Sequence, residues 1–303
     1  MDFLRFIAEF RTPAGDYFFQ GITYLAQELL VVAFICWFFW CGNKRLAYQM
    51  GFSYFLSGLT IQGLKIALRI PRPWLLDPSF QPVESAIPGA TGYSFPSGHT
   101  QSGTAFFTTL AFNTQKKKLR LLCVLGFLLI GFSRMYLGVH TPADVLTSMG
   151  ISFMLTSLIC HFWKCFESDT SHDLLASVVF SMITILLLVY DIYLVKMGVL
   201  NIHNAMDCCK ACGAGLAFSI GFYLERRYLN FAPPASPKGK LIRFLAGLAV
   251  TAALEFGLKA ILPTHLFTAY LRYFLIVSWI IVIYPLIFTR FSSGKVRDRL
   301  SSC

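Results

Sequence analysis

The sequence predicts an all-α polytopic membrane bundle of about nine transmembrane helices, and three observations carry that reading. Of 303 residues, 56% are hydrophobic and only 14% charged, where a soluble domain carries about 25% charged residues; mean hydropathy is +0.61. Apolar runs of roughly 18 to 22 residues recur along the whole length, enough for a helix to cross a ~30 Å hydrocarbon core. The runs are continuously apolar rather than alternating, which argues against a membrane barrel despite 30 Phe, 13 Tyr and 5 Trp.

Taken in order, the opening MDFLRFIAEFRTPAGDYFFQG has acids among its apolar residues and no small-residue cleavage site. It reads as an interfacial helix with Phe3, Leu4, Ile7 and Phe10 on one side, not as a signal peptide. Apolar spans follow at 22–41, 49–68, 99–114, 120–138, 145–163, 174–195, 209–225, 243–262 and 269–289. The third and seventh are short and contain Gly and polar residues, which leaves seven or eight crossings open. No internal repeat and no linker between soluble domains is evident.

The 26 basic against 15 acidic residues leave a net charge of +11, which in a soluble chain would raise nucleic acid as a partner. Here the charge sits mainly in short loops, so a membrane topology explains it and no nucleic-acid partner is expected. Sixteen of the 26 basic residues fall in 41–48, 115–119, 164–173, 226–242 with their flanks, and the tail after 289, among them Lys164, Lys295, Arg297 and Arg299. The positive-inside rule makes that face, with the C-terminus, cytoplasmic. The opposite face holds the N-terminus, the 29-residue loop 70–98 and the connection around His140. Of the nine Cys, Cys209 and Cys212 have the spacing of a metal knuckle, but nothing nearby completes four ligands. They read as small buried helix residues, and no metal is expected.

Three sets of polar residues converge on the non-cytoplasmic face: Lys65-IALRIP-Arg72-Pro73, then Pro96-Ser97-Gly98-His99, then Ser133-Arg134-MYLGV-His140-TPA-Asp144. Their order and internal spacing resemble the type 2 phosphatidic acid phosphatase superfamily, whose pattern is K-x6-RP, PSGH and SR-x5-H-x3-D, and every position of it is filled. The resemblance covers about 80 residues. It implies a metal-independent phosphatase that works through a phosphohistidine, needs no cofactor and has a core of about six helices.

The residues make physical sense of that chemistry. His140 and Asp144 lie four apart, so a helix starting near Thr141 lets the carboxylate fix the imidazole tautomer of a nucleophilic His140. His99 follows Ser97 and Gly98 at a helix start, where exposed N–H groups favour an anion, and is placed to protonate the departing oxygen. Lys65, Arg72 and Arg134 neutralise a transferring phosphoryl group, and Arg69 is a candidate auxiliary phosphate ligand. Plainer roles compete for single residues: Ser97 as an N-cap, Thr141 to Asp144 as a capping box, Arg72-Pro73 as a helix stop and Arg134 as a snorkelling cation. Glu255 and Lys259, four apart, read as a structural pair.

Residues 1–195 are therefore expected to form the phosphatase core and 196–303 a three-helix extension. The expected substrate is a membrane lipid phosphate or diphosphate, an isoprenoid diphosphate carrier ranking ahead of phosphatidate-type lipids, in a bacterial inner membrane. Two other readings stay open: a glucose-6-phosphatase-like enzyme with a soluble substrate, and a non-catalytic lipid-phosphate binder or transporter. Phosphoryl transfer to an acceptor other than water is a further enzymatic possibility.

Overall fold

The computed structural model describes residues 1–167 and 170–290. Residues 168–169 and 291–303 and the side chains of 164–167 lie outside the described residues, and with them the basic anchors Lys164, Lys295, Arg297 and Arg299. The described chain is 80% helical, with no strand. In order the helices are α1 (Asp2–Ala8), α2 (Pro13–Tyr24), α3 (Glu28–Cys41), α4 (Lys44–Leu68), the short α5 (Pro73–Leu76), α6 (Gly98–Phe112), α7 (Lys117–Tyr136), α8 (Pro142–Glu167), α9 (Ser171–Lys196), α10 (Ile202–Leu224), α11 (Pro237–Ile261) and α12 (Leu266–Ser278). α12 continues through a π turn at Trp279–Ile283 toward Arg290.

Six stretches are long and apolar enough to cross a membrane by themselves: Pro13–Cys41, Lys117–Tyr136, Pro142–Trp163, Ser171–Lys196, Pro237–Ile261 and Leu266–Arg290. The expected second, third and seventh crossings correspond to α4, α6 and α10, which fall short of that criterion. For α6, of 15 residues, the reason is length; for α4 and α10 it is positional. α4 packs against α6, α8 and α10 at once, so much of its surface meets protein rather than lipid. It buries Gln49, Ser53 and Ser57, satisfied in part by its neighbours: Gln101 of α6 donates to Ser57 Oγ at 2.8 Å, and Asn113 donates to Gln49 Oε1 at 2.5 Å. Interior helices of a bundle need no lipid-facing stripe, so their apolarity drops.

The N-terminal segment also differs from its expected form. Leu4 and Ile7 of α1 are buried while Phe3 and Phe10 are exposed, so the apolar side splits between a protein contact on α7 and an outward face. The first spanning stretch starts at Pro13, N1 of α2 behind the N-cap Thr12, and not at 22; α2 and α3 are separated only by a turn at 25–27.

α10 lies between α9, α4 and α12. Two glycines permit the approach to α12: a Cβ on Gly213 would sit 2.1 Å from the Tyr270 carbonyl oxygen, and one on Gly221 2.1 Å from Ile281 Cγ2. Such small-residue contacts let backbones meet where no hydrophobic force draws helices together. At the end away from the motif residues, Trp40 is fully buried and donates its indole N–H to the Ile280 carbonyl at 2.9 Å. Beside it the fully buried Glu225 accepts from Lys44 Nζ at 2.5 Å, from the Tyr48 hydroxyl and from the Phe231 N–H. A buried carboxylate is tolerable only when its oxygens are satisfied in this way.

Candidate active site

The three motif segments meet at the opposite end of the bundle. α4 closes on Arg69, which takes a left-handed conformation (φ 53°) and donates its N–H to the Lys65 carbonyl. α6 opens on Ser97, whose hydroxyl accepts from the Thr100 N–H at 3.4 Å in an N-cap and from Thr100 Oγ1 at 2.9 Å. α8 opens on a capping box in which Thr141 N–H donates to Asp144 Oδ2 at 2.8 Å and Asp144 N–H to Thr141 Oγ1 at 3.3 Å. The two helix starts are fastened together: Ser97 N–H donates to the Asp144 carbonyl at 3.1 Å and Ser148 Oγ to the Ser97 carbonyl at 2.6 Å.

The capping role and the chemical role of Asp144 coincide. Its Oδ2 also faces His140 Nδ1 at 3.3 Å and accepts from Ser94 Oγ at 2.6 Å. The other ring nitrogen, Nε2, lies 2.9 Å from Arg72 Nη1. Because a guanidinium only donates, Nε2 must accept, and the proton sits on Nδ1 facing the carboxylate. His140 is 1% exposed. Burial, followed by Arg72, Arg134, Lys65 and His99, holds its pKa well below the usual imidazole range, so the ring is neutral and its Nε2 lone pair is unprotonated, engaged by Arg72.

The cations are held by main chain. Arg72 donates to the carbonyls of Gly92 and Val139 at 3.1 Å each and of Thr91 at 2.5 Å, and Lys65 donates to that of Tyr93. Burial brings Arg72 down to about 10, still cationic at neutral pH. Gly92 takes a positive φ of 61°, a conformation that favours glycine, in the middle of the three carbonyls. Arg134, 1% exposed, donates Nη1 to Thr23 Oγ1 at 2.8 Å, while its Nε and Nη2 have no partner. Buried donors with nothing to bond are costly, and two of them on one guanidinium suit the oxygens of an anionic ligand.

Gly98 and His99 line a cleft of about 220 Å³. Its walls include Tyr54, Phe55, Leu59 and Ile61 from α4, Asp207 and Lys210 from α10, and Tyr273 from α12. A second cleft of about 240 Å³, with Lys259, His265 and Arg272, shares Thr91, Asp207 and Lys210 with the first.

Lys65, Arg72, Ser97, Gly98, His99, Arg134, His140 and Asp144 thus converge on one place, by hydrogen bond, cleft lining or electrostatic range of His140. Arg69 is placed differently: its Nη1 donates to the Ile66 carbonyl at 2.9 Å, closing its own helix end. The expected pair of Glu255 with Lys259 does not form; Glu255 faces Arg272 at 3.6 Å. Cys209 donates to Asp191 Oδ2 at 3.1 Å, and among the described residues no group of three His, Cys, Asp or Glu is arranged around a metal position. Sequence reasoning missed Ser94, Thr23 and the carbonyls of 91–93, which carry no motif. It also missed Asp207 and Lys210, whose signal was available as charges inside an apolar helix.

Comparison with known proteins places a match to the PAP2 superfamily over residues 46–167 and to the PAP2 superfamily phosphatase transmembrane extension over 209–296. Sphingosine-1-phosphate phosphatase 2 of Mus musculus is 26% identical over 227 residues, which are 72% of this chain and 61% of that protein. Undecaprenyl-diphosphatase BcrC of Bacillus subtilis (strain 168) is 35% identical over 108 residues, 35% of this chain and 53% of that protein. Phosphatidylglycerophosphatase B of the same organism is 24% identical over 163 residues, 50% and 77% respectively. The chain therefore spans just over half the length of the first two of these relatives. No solved structure matches it significantly.

Proposed function

Because the chain belongs to the PAP2 superfamily, we propose that it is an integral-membrane phosphatase that hydrolyses lipid phosphates or diphosphates through a phosphohistidine on His140. The observation that carries this reading is the orientation of His140: Nδ1–H toward Asp144, and the Nε2 lone pair beside Arg72, with unpartnered Arg134 donors nearby. A pocket built only to bind an anion needs the cations but not a neutral, oriented imidazole.

In the proposed reaction, the phosphate oxygens take the N–H groups of Arg72, Arg134 and Lys65. His140 Nε2 forms a bond to phosphorus, and the bond from phosphorus to the lipid oxygen breaks. His99, charged by a proton when the negative phosphate lies beside it, gives that proton to the oxygen, and Asp144 balances the charge that appears on the His140 imidazole. A water then attacks phosphorus, His99 takes its proton, and the N–P bond breaks to return neutral His140 and inorganic phosphate. The protein cations supply the charge stabilisation of a loose phosphoryl-transfer transition state. No metal-dependent step and no cofactor is invoked.

The apolar wall of Phe55, Leu59 and Ile61 beside polar Gly98 and His99 suits a lipid tail next to a phosphate. Isoprenoid diphosphates, phosphatidate-type lipids and sphingoid phosphates are the proposed substrate classes, and 1–195 and 196–303 the proposed core and extension. The test is phosphate release by purified protein, with chelator, from undecaprenyl diphosphate, sphingosine 1-phosphate, phosphatidate, phosphatidylglycerol phosphate and glucose 6-phosphate. Release from one or more lipids, indifferent to chelator, supports the reading; release from glucose 6-phosphate alone would replace it with hydrolysis of a soluble ester.

Two predictions arise here. Asp144→Asn is expected to lower turnover about 10²-fold, the scale of losing one preorganised electrostatic contact. Three donors converge on Oδ2, so an amide oxygen is held in the same place and the tautomer survives; only the charge is lost. A near-wild-type rate would limit Asp144 to its capping role. The loop charges support a site on the non-cytoplasmic face. Gln81→Cys, on an exposed position of the 70–97 loop, is then expected to react with an impermeant thiol reagent from outside sealed cells. Labelling only after lysis would invert the topology.

A further inference from the structure

Among the described contacts, three consecutive carbonyls, of Thr91, Gly92 and Tyr93, are all spent on the cations Arg72 and Lys65. The segment 91–93 is thus the cradle of the phosphate-binding charges, and its placement sets theirs. At one end it is tied to the core, since Ser94 N–H donates to the Ile70 carbonyl at 2.8 Å and Ser94 Oγ to Asp144. At the other end Thr91 is exposed, and its hydroxyl donates to Asp207 Oδ2 of α10 at 2.6 Å. Asp207 is fixed in turn by Lys210, whose Nζ donates to Oδ1 at 2.7 Å. An unbroken chain of hydrogen bonds therefore runs from α10 to the nucleophile: Asp207 to Thr91 at 2.6 Å, Thr91 to Arg72 at 2.5 Å, Arg72 to His140 Nε2 at 2.9 Å.

We propose that Asp207 is a positioning residue of the active site, through which the C-terminal half holds the Thr91–Tyr93 cradle and so aims Arg72 at the phosphoryl group beside His140. The extension is then a working part of the site rather than a passive anchor. The inference rests on the proposed phosphatase reading, but its mechanical part does not depend on a substrate. Nothing in the three motif segments requires α10, which is why the contact is invisible to them. The charge pair Asp207 and Lys210, three apart within an otherwise apolar helix, is costly unless it is used.

The test compares Thr91→Val, Asp207→Ala, the double variant and Asp207→Asn in the full chain, by steady-state kinetics on whichever lipid phosphate the wild type hydrolyses and by hydrogen exchange of residues 89–95. Misplacing a catalytic cation by a fraction of an ångström lowers the rate of the chemical step rather than affinity. Thr91→Val and Asp207→Ala are each expected to reduce kcat about tenfold with KM within about twofold. The double variant is expected to be no slower than the slower single one, because both cut the same link. Asp207→Asn, whose amide oxygen still accepts from Thr91, is expected to recover most of the rate. Exchange at 89–95 should quicken in the Ala and Val variants and not in Asn. Independent, multiplying losses, an effect confined to KM, or unchanged exchange would each overturn the proposal. Should Asp207→Ala fail to fold, Thr91→Val, a change on an exposed loop, decides by the same two readouts. Should the wild type hydrolyse none of the lipids, the phosphatase reading fails and hydrogen exchange alone decides whether the link holds the cradle.

Discussion

Replacing His140 with Ala is expected to abolish phosphate release, by 10⁴-fold or more, while binding of the lipid phosphate stays measurable. The split follows from what each group does. Arg72, Arg134 and Lys65 provide the attraction for the phosphate, and none of them forms a bond to phosphorus. His140 supplies the electron pair, and without it the remaining route is direct attack by a water that no residue is oriented to activate. A second readout separates a nucleophile from a mere ligand. Rapid quenching of the wild type with a ³²P-labelled substrate is expected to trap label on the protein as an acid-labile, base-stable phosphoramidate, and His140→Ala should trap none. Full residual hydrolysis in the variant, or label that survives acid, would falsify the assignment. His99→Ala is the internal comparison: an alkoxide or phosphate leaving group differs in its need for a proton, so the loss there depends on substrate in a way the loss at His140 does not.

How far this site was legible in the sequence depends on what kind of atom does the work. Side chains that act through their own functional groups were visible: Lys65, Arg72, His99, Arg134, His140 and Asp144 stand at fixed intervals, and the structure gathers them at one end of the bundle. The main-chain carbonyls of 91–93 were not, because any residue supplies a carbonyl and only the fold says where it points. Ser94 and Thr23 belong with them, since a lone hydroxyl in a loop or helix carries no periodic signal. Arg69 shows the converse error. It stands three residues before Arg72, yet a left-handed helix end turns its guanidinium back on Ile66, and spacing along the chain cannot register a reversal of the backbone.

The fold was read with a similar asymmetry. Helices with little surface buried against protein, such as α9 and α11, announce themselves because apolar residues occupy most of their circumference. α4, α6 and α10 are surrounded largely by other helices, so their composition answers to neighbours that the sequence does not identify. The break at 25–27 and the early start at Pro13 likewise arise where α2 packs on α7, a long-range contact with no local pattern. The pairing of Glu255 with Arg272 instead of Lys259 follows the same rule: an i, i+4 match on one helix was outbid by a cation on the next.

Arg134→Met should move activity and stability in opposite directions. Activity is expected to fall about 10³- to 10⁵-fold, the range for removing an arginine that stabilises a transferring phosphoryl group. Stability of the ligand-free protein is expected to rise. Arg134 is 1% exposed, makes one side-chain hydrogen bond, to Thr23, and leaves Nε and Nη2 without partners. A buried charge that is not compensated is a net cost, and exchanging buried ionic groups for apolar side chains of similar volume is often neutral or stabilising by about 1–4 kcal/mol. Met fills the channel of the Arg stem without carrying the charge. The oxoanion that Arg134 awaits supplies a control: vanadate or inorganic phosphate should raise the melting temperature of the wild type, by preferential binding to the folded state, and should raise that of the variant far less. The reverse outcome is equally clear. If Arg134→Met melts lower than the wild type and keeps its rate, Arg134 is a strut between α7 and α2, and the orphaned N–H groups are not a phosphate site. If it melts higher and loses the rate, the uncompensated buried charge of Arg134 is what the site uses to bind the transition state.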